Sequence, residues 1–96
     1  IPEAALPEDK ALQSVVFETK TLLSKDLGKA LDYLGKKLKQ NSESYDDWIT
    51  LSARYNRVKK AVLQQTIDFQ EAEREYAKID TAVIYLVNVL RREHLQ

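Results

Sequence analysis

The sequence predicts an all-α protein, specifically an antiparallel four-helix bundle that runs up-down-up-down. Gly and Pro occur only twice each in 96 residues, and the common residues Leu, Ala, Lys, Glu and Gln favour helix. Apolar residues recur at three- and four-residue spacing along most of the chain, which is the pattern of helices with one buried face. The polar breaks between these stretches are short, so consecutive helices must pack side by side and antiparallel. We therefore expect one small domain over residues 1–96.

The first two predicted helices cover residues 7–24 and 26–40. Asp26 is a plausible N-cap for the second helix. Gly28 and Gly35 fall within this short helix, where each costs about 1 kcal/mol relative to Ala. We favour a simple weakening of the helix at these positions. The alternative is that a neighbouring helix approaches closely there.

The last two predicted helices, residues 44–65 and 68–93, are the longest and are expected to form a hairpin. Ser42 or Ser44 is expected to cap the third helix. Asp68 is expected to cap the fourth, because an acidic residue follows three positions later, as in a capping box. A tight turn between these helices would place residues level when their numbers sum to about 134.

This alignment predicts two ion pairs across the hairpin. Arg54 falls level with Asp80, and Arg57 lies near Glu75. Exposed pairs of this kind contribute only about 0–1 kcal/mol, so we expect them to fix the register more than the stability. The same spacing places most of the aromatic side chains in the core: Trp48, Tyr55, Phe69, Tyr76 and Tyr85.

The charges balance overall but are unevenly distributed along the chain. Fifteen basic and fifteen acidic side chains give a net charge of zero, which argues against a general nucleic-acid binder. Residues 25–40 nevertheless carry five Lys and two Asp, whereas residues 67–96 are net acidic. Ordinary solvated faces explain this distribution, and so does a basic side that docks onto a related domain. For the second interpretation the candidate interface residues are Lys29, Lys36, Lys37 and Lys39.

The sequence shows no sign of a membrane span or a leader. No apolar run reaches the roughly 18 residues of a membrane helix, and the acidic opening IPEAALPED lacks the basic start of a signal peptide. The chain has no Cys, which excludes disulfides and thiol catalysis. We expect a cytoplasmic protein that does not bind membranes. Because the sequence does not begin with Met, we also expect it to be a piece of a longer multidomain protein.

The sequence offers no constellation of catalytic residues. His94, the only His, lies near the end of the chain, where we expect a solvated side chain that cannot hold a catalytic geometry. Neighbouring acidic residues on a helix diverge, and the Glu-x-x-His motif of di-metal bundles is missing. There is no Gly-rich phosphate loop either. We therefore expect a protein that is not an enzyme and has no cofactor or metal.

The second half of the chain carries three elements of a known family. An S-x-R-Y-N-R element consists of Ser52, Arg54, Tyr55, Asn56 and Arg57. A turn and cap follow, formed by Thr66, Ile67, Asp68, Phe69 and Glu71. The next helix then contains Glu75, Tyr76, Ile79 and Ala82. Together these elements resemble effector-associated domain type eleven of bacterial conflict systems, over about residues 45–90. The sequence departs from the family at Gln65, where the usual residue is Gly.

This resemblance implies a non-enzymatic adaptor in bacterial immunity. Such domains occur in two copies, one on a sensor or NTP-binding protein and one on an effector such as a protease or a TIR domain. Like-with-like association then brings sensor and effector together. The implied partners are a like or sister domain on another protein, or a second copy of the chain.

Two other functions remain open. Under the first alternative, the chain is a structural helical spacer or an oligomerisation bundle in a larger protein. Under the second it is a small nucleic-acid-binding bundle that uses the Lys-rich helix. The second alternative is weaker, since this helix lacks the Arg and the interleaved aromatic residues of such surfaces.

Overall fold

The computed structural model describes residues 7–96, with side chains from Lys10 onward. Its helices are α1 (Pro7–Leu23), α2 (Leu27–Lys37), α3 (Glu43–Leu63) and α4 (Phe69–Asn88), followed by a short 3-10 helix (Arg92–His94). No strand occurs in this part of the chain, so the predicted all-α fold with four α-helices is confirmed. The first six residues of the predicted domain lie outside the described residues.

Each helix packs against its neighbour in sequence, and α1 also packs against α4. Along α2 and α3, Gly35 lies against Trp48 and Gly28 lies against Tyr55. As the residue numbers rise on α2 they fall on α3, so these two helices run antiparallel. Helices α3 and α4 are likewise antiparallel, because Tyr55 stacks on Tyr76 while earlier residues of α3 meet later residues of α4. The up-down-up-down order of all four helices stays a prediction.

The core is a single apolar cluster to which α2 and α4 contribute most. Its buried members are Val15, Leu31, Leu34, Leu38, Leu51, Ile79, Val83, Leu86, Val87, Leu90 and Leu95. Helix α1 buries Thr19 as well, and the Thr19 hydroxyl is satisfied because it donates a hydrogen bond to the carbonyl of Val15 (2.7 Å). Buried polar groups need such partners to avoid a desolvation cost.

The hairpin tip, residues 59–71, extends beyond this core and has no buried residue. Phe69 is 74% exposed, so its predicted place in the core is wrong. It is the first residue of α4 and lies beyond the region where other helices cover the hairpin. The prediction is also wrong for Tyr85, which is 69% exposed, because it lies at the edge of the buried face of α4, beside a groove that no other helix covers.

Short-range hydrogen bonds define the starts of three helices as predicted. The Asp26 carboxylate accepts a hydrogen bond from the backbone N–H of Lys29. The Ser42 hydroxyl and the Asp68 carboxylate accept equivalent bonds at the starts of α3 and α4. Each side chain satisfies an N–H that has no partner within its helix, so losing one cap typically costs about 1 kcal/mol. Of the two predicted caps for α3, Ser42 is the one used.

A left-handed turn ends α3 at Leu63, two residues before the predicted end. Gln65 has a φ of 59°, and the flanking backbone forms two hydrogen bonds, from Thr66 N to Ala61 O (2.9 Å) and from Gln65 N to Val62 O (3.1 Å). This is a Schellman turn, whose left-handed residue is usually Gly. Gln65 thus occupies the position at which the sequence departs from the family.

The predicted register of the hairpin is wrong by about one helical turn. Arg54 Nη2 lies 3.5 Å from Glu75 Oε1, whereas the prediction paired Arg54 with Asp80 and placed Arg57 near Glu75. The early end of α3 explains the shift, since it moves the midpoint of the hairpin toward lower residue numbers. Arg57 is exposed and forms none of the ion pairs found among residues 10–96.

The last helix ends at Asn88 rather than at residue 93, and α2 ends at Lys37 rather than at residue 40. Both differences have one cause. Leu38 leaves α2 in an extended conformation and forms an antiparallel bridge with Leu95. The chain must turn after α4 to reach this position, which buries Leu95. The apolar spacing alone predicts that α4 continues to residue 93, because neither Gly nor Pro marks the turn.

This C-terminal clasp, residues 90–96, also holds His94. Its Nδ1 lies 2.8 Å from Ser44 Oγ, and its carbonyl accepts a hydrogen bond from Lys39 N (2.7 Å). Nδ1 also lies 3.4 Å from Arg91 N, within the same clasp. The prediction of a solvated His at a loose terminus is therefore wrong.

Candidate interaction surfaces

Some of the family-motif residues form a contact layer between α3 and α4. The rings of Tyr55 and Tyr76 pack with centroids 5.7 Å apart. Glu75 contacts Arg54 at 3.5 Å and Lys78 at 3.4 Å. These ion pairs are partly exposed, so each contributes about 0–1 kcal/mol. Their geometry mainly fixes how α3 lies along α4.

The other motif residues have separate positions. Asp68 caps α4 by accepting a hydrogen bond from Glu71 N (2.8 Å). Asn56 is exposed on α3, where it lines a polar pocket between α2 and α3. Phe69 is exposed at the hairpin tip. The motif is thus partly a packing layer and partly surface.

Asp80 lies beside this layer and carries a buried oxygen. Its Oδ1 has no hydrogen-bond partner among the described residues, and burial raises the pKa of the Asp80 carboxyl above its usual value. Tyr55 and Tyr76 line the same shallow pocket of about 280 Å³. Burial raises the pKa of both phenols as well, and the carboxylates of α2 add to the shift at Tyr55.

The close approach of α2 to α3 depends on the two glycines. A Cβ on Gly35 would lie 2.3 Å from Trp48 Cζ2, and one on Gly28 would lie 2.7 Å from the Tyr55 hydroxyl. Trp48 also donates a hydrogen bond from Nε1 to the carbonyl of Leu31 (2.8 Å). The structure therefore supports close helix packing at both glycines, which is the interpretation we did not favour.

The structure brings three of the four predicted interface lysines to one end of the bundle. Lys36, Lys37 and Lys39 are exposed around the end of α2, and Lys37 Nζ lies 5.4 Å from the centroid of the Tyr33 ring. Lys29 is exposed two turns earlier and lines a different pocket. It therefore does not belong to the same cluster.

The C-terminal clasp adds a cation that the sequence analysis missed. Arg92 lines a pocket of about 380 Å³ together with Tyr33, Lys36 and Lys37. Arg92 and these lysines are more than fifty residues apart in the chain, and the contacts of the C-terminal clasp with the end of α2, including the bridge between Leu38 and Leu95, bring them together. We call this cluster of Lys36, Lys37, Lys39 and Arg92 the basic surface. In the sequence, only the apolar residues Leu90 and Leu95 near the terminus indicate that the end of the chain packs against the bundle.

The described residues also bear on metal binding and on membrane insertion. No group of three or more His, Cys, Asp or Glu side chains in residues 10–96 is arranged to hold a metal ion. Within the described part of the chain, every helix is too short or too polar to cross a membrane.

The model of one family, effector-associated domain 11, matches residues 18–91. The chain therefore belongs to the effector-associated domain 11 family, as the S-x-R-Y-N-R element and the following turn predicted. No curated protein and no solved structure matches the chain significantly.

Proposed function

We propose that this domain is a non-enzymatic adaptor that couples a sensor to an effector in a bacterial immune system. It does so in the cytoplasm by associating with a like domain on another protein. Family membership carries this proposal. The family's name links its members to effectors, which supports a role in an effector-linked system.

The basic surface is the best candidate for this contact. It combines three lysines and Arg92 within one region of the bundle, so it presents a concentrated positive potential to an acidic partner. Exposed carboxylates occur on the first half of α4, at Glu71 and Glu73. A like domain therefore offers the complementary charge, and complementary potentials mainly increase the association rate and the specificity.

Docking of the basic surface of one copy onto α4 of another is a head-to-tail contact. Such contacts do not close unless the rotation between copies allows it, so they build open assemblies. We therefore expect oligomers that grow with concentration and that dissociate at high salt, because salt screens exposed charges.

The experiment measures the mass of the assembly by light scattering over a range of concentrations. Replacing Lys36, Lys37 and Lys39 with Glu should abolish this growth of the assembly with concentration. Lys36 and Lys37 lie in the last turn of α2, where negative charge disfavours the helix. The corresponding triple Gln variant removes the charges without this cost, and circular dichroism verifies that both variants remain helical.

A matched control carries the same number of charge reversals at exposed lysines elsewhere, namely Lys10, Lys20 and Lys60. This control should assemble as the wild type does. If the triple Gln variant also assembles as the wild type does, the basic surface is not the interface. A wild-type protein that stays monomeric at every concentration would instead favour the helical spacer.

A further inference from the structure

A second surface, separate from the basic surface, lies between α3 and α4. It is a groove of about 570 Å³ lined by Asp47, Thr50, Leu51, Lys78, Thr81, Ala82, Tyr85, Leu86 and Val89. Leu51 and Leu86 are buried at its base, whereas Tyr85 and Val89 are 69% and 47% exposed. Exposed aromatic residues beside an apolar groove are typical of the centre of a protein–protein interface.

The charges at the groove have a particular arrangement. Lys78 lies four residues before Ala82 on α4, and Leu86 lies four residues after it, so each is about 6 Å from Ala82 along the helix axis. Asp47 lines the groove from α3, and the register set by Arg54–Glu75 and Tyr55–Tyr76 places it level with about residues 82–84 of α4. The groove therefore has a positive charge at one end, from Lys78, and a negative charge on its α3 side near the level of Ala82.

This arrangement is complementary to itself under a two-fold rotation. If two copies pack their α4 helices antiparallel with the axis near Ala82, Lys78 of each copy lies level with Leu86 of the other. Asp47 of that copy lies within about one helical turn of this level, so the long Lys78 side chain can reach it, and the same contact occurs twice. The Lys78 side chain is 61% exposed and contacts Glu75 only through a surface pair, so it can reorient at little cost.

We propose that this groove is the contact between two copies of the chain in a symmetric dimer. Ala82 lies at the axis and allows the two α4 helices to approach closely. Tyr85 of each copy packs over the groove of the other, and two Lys78–Asp47 pairs flank the axis. Such a two-fold contact ends at a dimer, which goes beyond the proposed head-to-tail association through the basic surface.

The test uses the triple Gln variant of the basic surface, so that head-to-tail growth is removed, and measures mass by sedimentation equilibrium. The starting variant should be a dimer. Adding Lys78→Glu or Asp47→Lys should weaken dimerisation on the order of ten- to a hundredfold, because each places two like-charged pairs across the axis. An equimolar mixture of these two variants should form a heterodimer, since both contacts between them are again oppositely charged.

Two matched controls isolate the groove from general effects of charge. Asp32→Lys makes the same change at an exposed carboxylate of α2, which lines the pocket between α2 and α3 rather than the groove. Lys60→Glu reverses a lysine on the opposite side of α3. Both controls should leave the dimer intact, and loss of the dimer in either would contradict the proposed contact.

The apolar part of the contact is tested by Tyr85→Ser. This residue is exposed, so the substitution should preserve the fold while weakening the dimer at least tenfold, as is usual for a central aromatic anchor. Phe17→Ser is the control, because Phe17 is 70% exposed on α1. Equal effects of the two changes would show that the groove has no special role.

The outcomes separate this inference from the proposed function. A monomeric triple Gln variant overturns the dimer while supporting the basic surface as the sole interface. A triple Gln variant that grows beyond the dimer, as the wild type does, contradicts the role of the basic surface. In that case the comparison of Lys78→Glu, Asp47→Lys and their mixture still decides whether the groove forms a two-fold contact.

Discussion

Replacing Gly35 with Ala should destabilise this protein, although the same change stabilises an ordinary helix. In an open helix interior Ala is favoured over Gly by about 1 kcal/mol. At Gly35, however, the added Cβ would lie 2.3 Å from Trp48 Cζ2 and 2.7 Å from Trp48 Cε2. Both distances are far shorter than van der Waals contact, so either the indole ring or α2 must move.

The magnitude follows from three contributions. Overpacking a close contact costs about 1–3 kcal/mol. Moving the indole also weakens its 2.8 Å hydrogen bond to the carbonyl of Leu31, which is worth about 1 kcal/mol. The gain in helix propensity offsets about 1 kcal/mol of this. We expect a net loss of about 1–3 kcal/mol in the free energy of unfolding, with a melting temperature lower by about 4–8 °C for each kcal/mol.

Urea unfolding followed by fluorescence measures this effect, because Trp48 is the only Trp in the chain. Ala53→Gly is the matched control, since Ala53 is exposed on α3 and reports the helix propensity alone. A double-mutant cycle with Trp48→Phe, followed by circular dichroism, should recover most of the loss, because the smaller ring leaves room for the added methyl group. An increase in stability for Gly35→Ala would refute the reasoning.

Two further changes test the hairpin turn and the buried carboxyl. Gln65→Gly should raise the free energy of unfolding by about 1 kcal/mol, because Gly adopts the observed left-handed φ without strain. Gln64→Gly, at a right-handed position, should not raise the free energy of unfolding. Thermal unfolding of both variants measures the difference. Asp80→Asn should stabilise the protein at pH 7 by on the order of 1 kcal/mol, since it removes a buried charge without a partner. Because burial raises the pKa of Asp80, the folded state binds its proton more readily than the unfolded chain does. The wild type therefore loses stability as the pH rises from the ordinary carboxyl value through the raised one, and the advantage of Asp80→Asn should vanish at lower pH. Asp32→Asn, at an exposed carboxylate, is the control for the removal of one negative charge in the same chemical unfolding assay.

The features that the sequence predicted correctly are those that depend on neighbouring residues. Asp26, Ser42 and Asp68 cap helices because each side chain bonds to a backbone N–H three residues ahead, and that geometry is encoded locally. The family motif is recognisable for a similar reason, because its turn and cap occupy a few consecutive positions.

The features that the sequence did not predict depend on contacts between distant segments. The pairing of Arg54 with Glu75 depends on where the left-handed turn ends α3, and Gln65 gives no sign of it. The basic surface depends on the bridge between Leu38 and Leu95, which forms across more than fifty residues. The exposure of Tyr85 depends on which face of α4 its neighbours cover, and apolar spacing alone does not distinguish a core face from an interface.

The hairpin tip has a consequence for motion. Local opening is easiest where few apolar side chains are buried, and residues 59–71 bury none. Amide protons in the tip should therefore exchange with solvent through small fluctuations. Amide protons near Ile79 and Val83 should exchange only when the whole domain unfolds. Leu63 and Phe69 can thus change conformation to fit another molecule while the body of the domain keeps its shape.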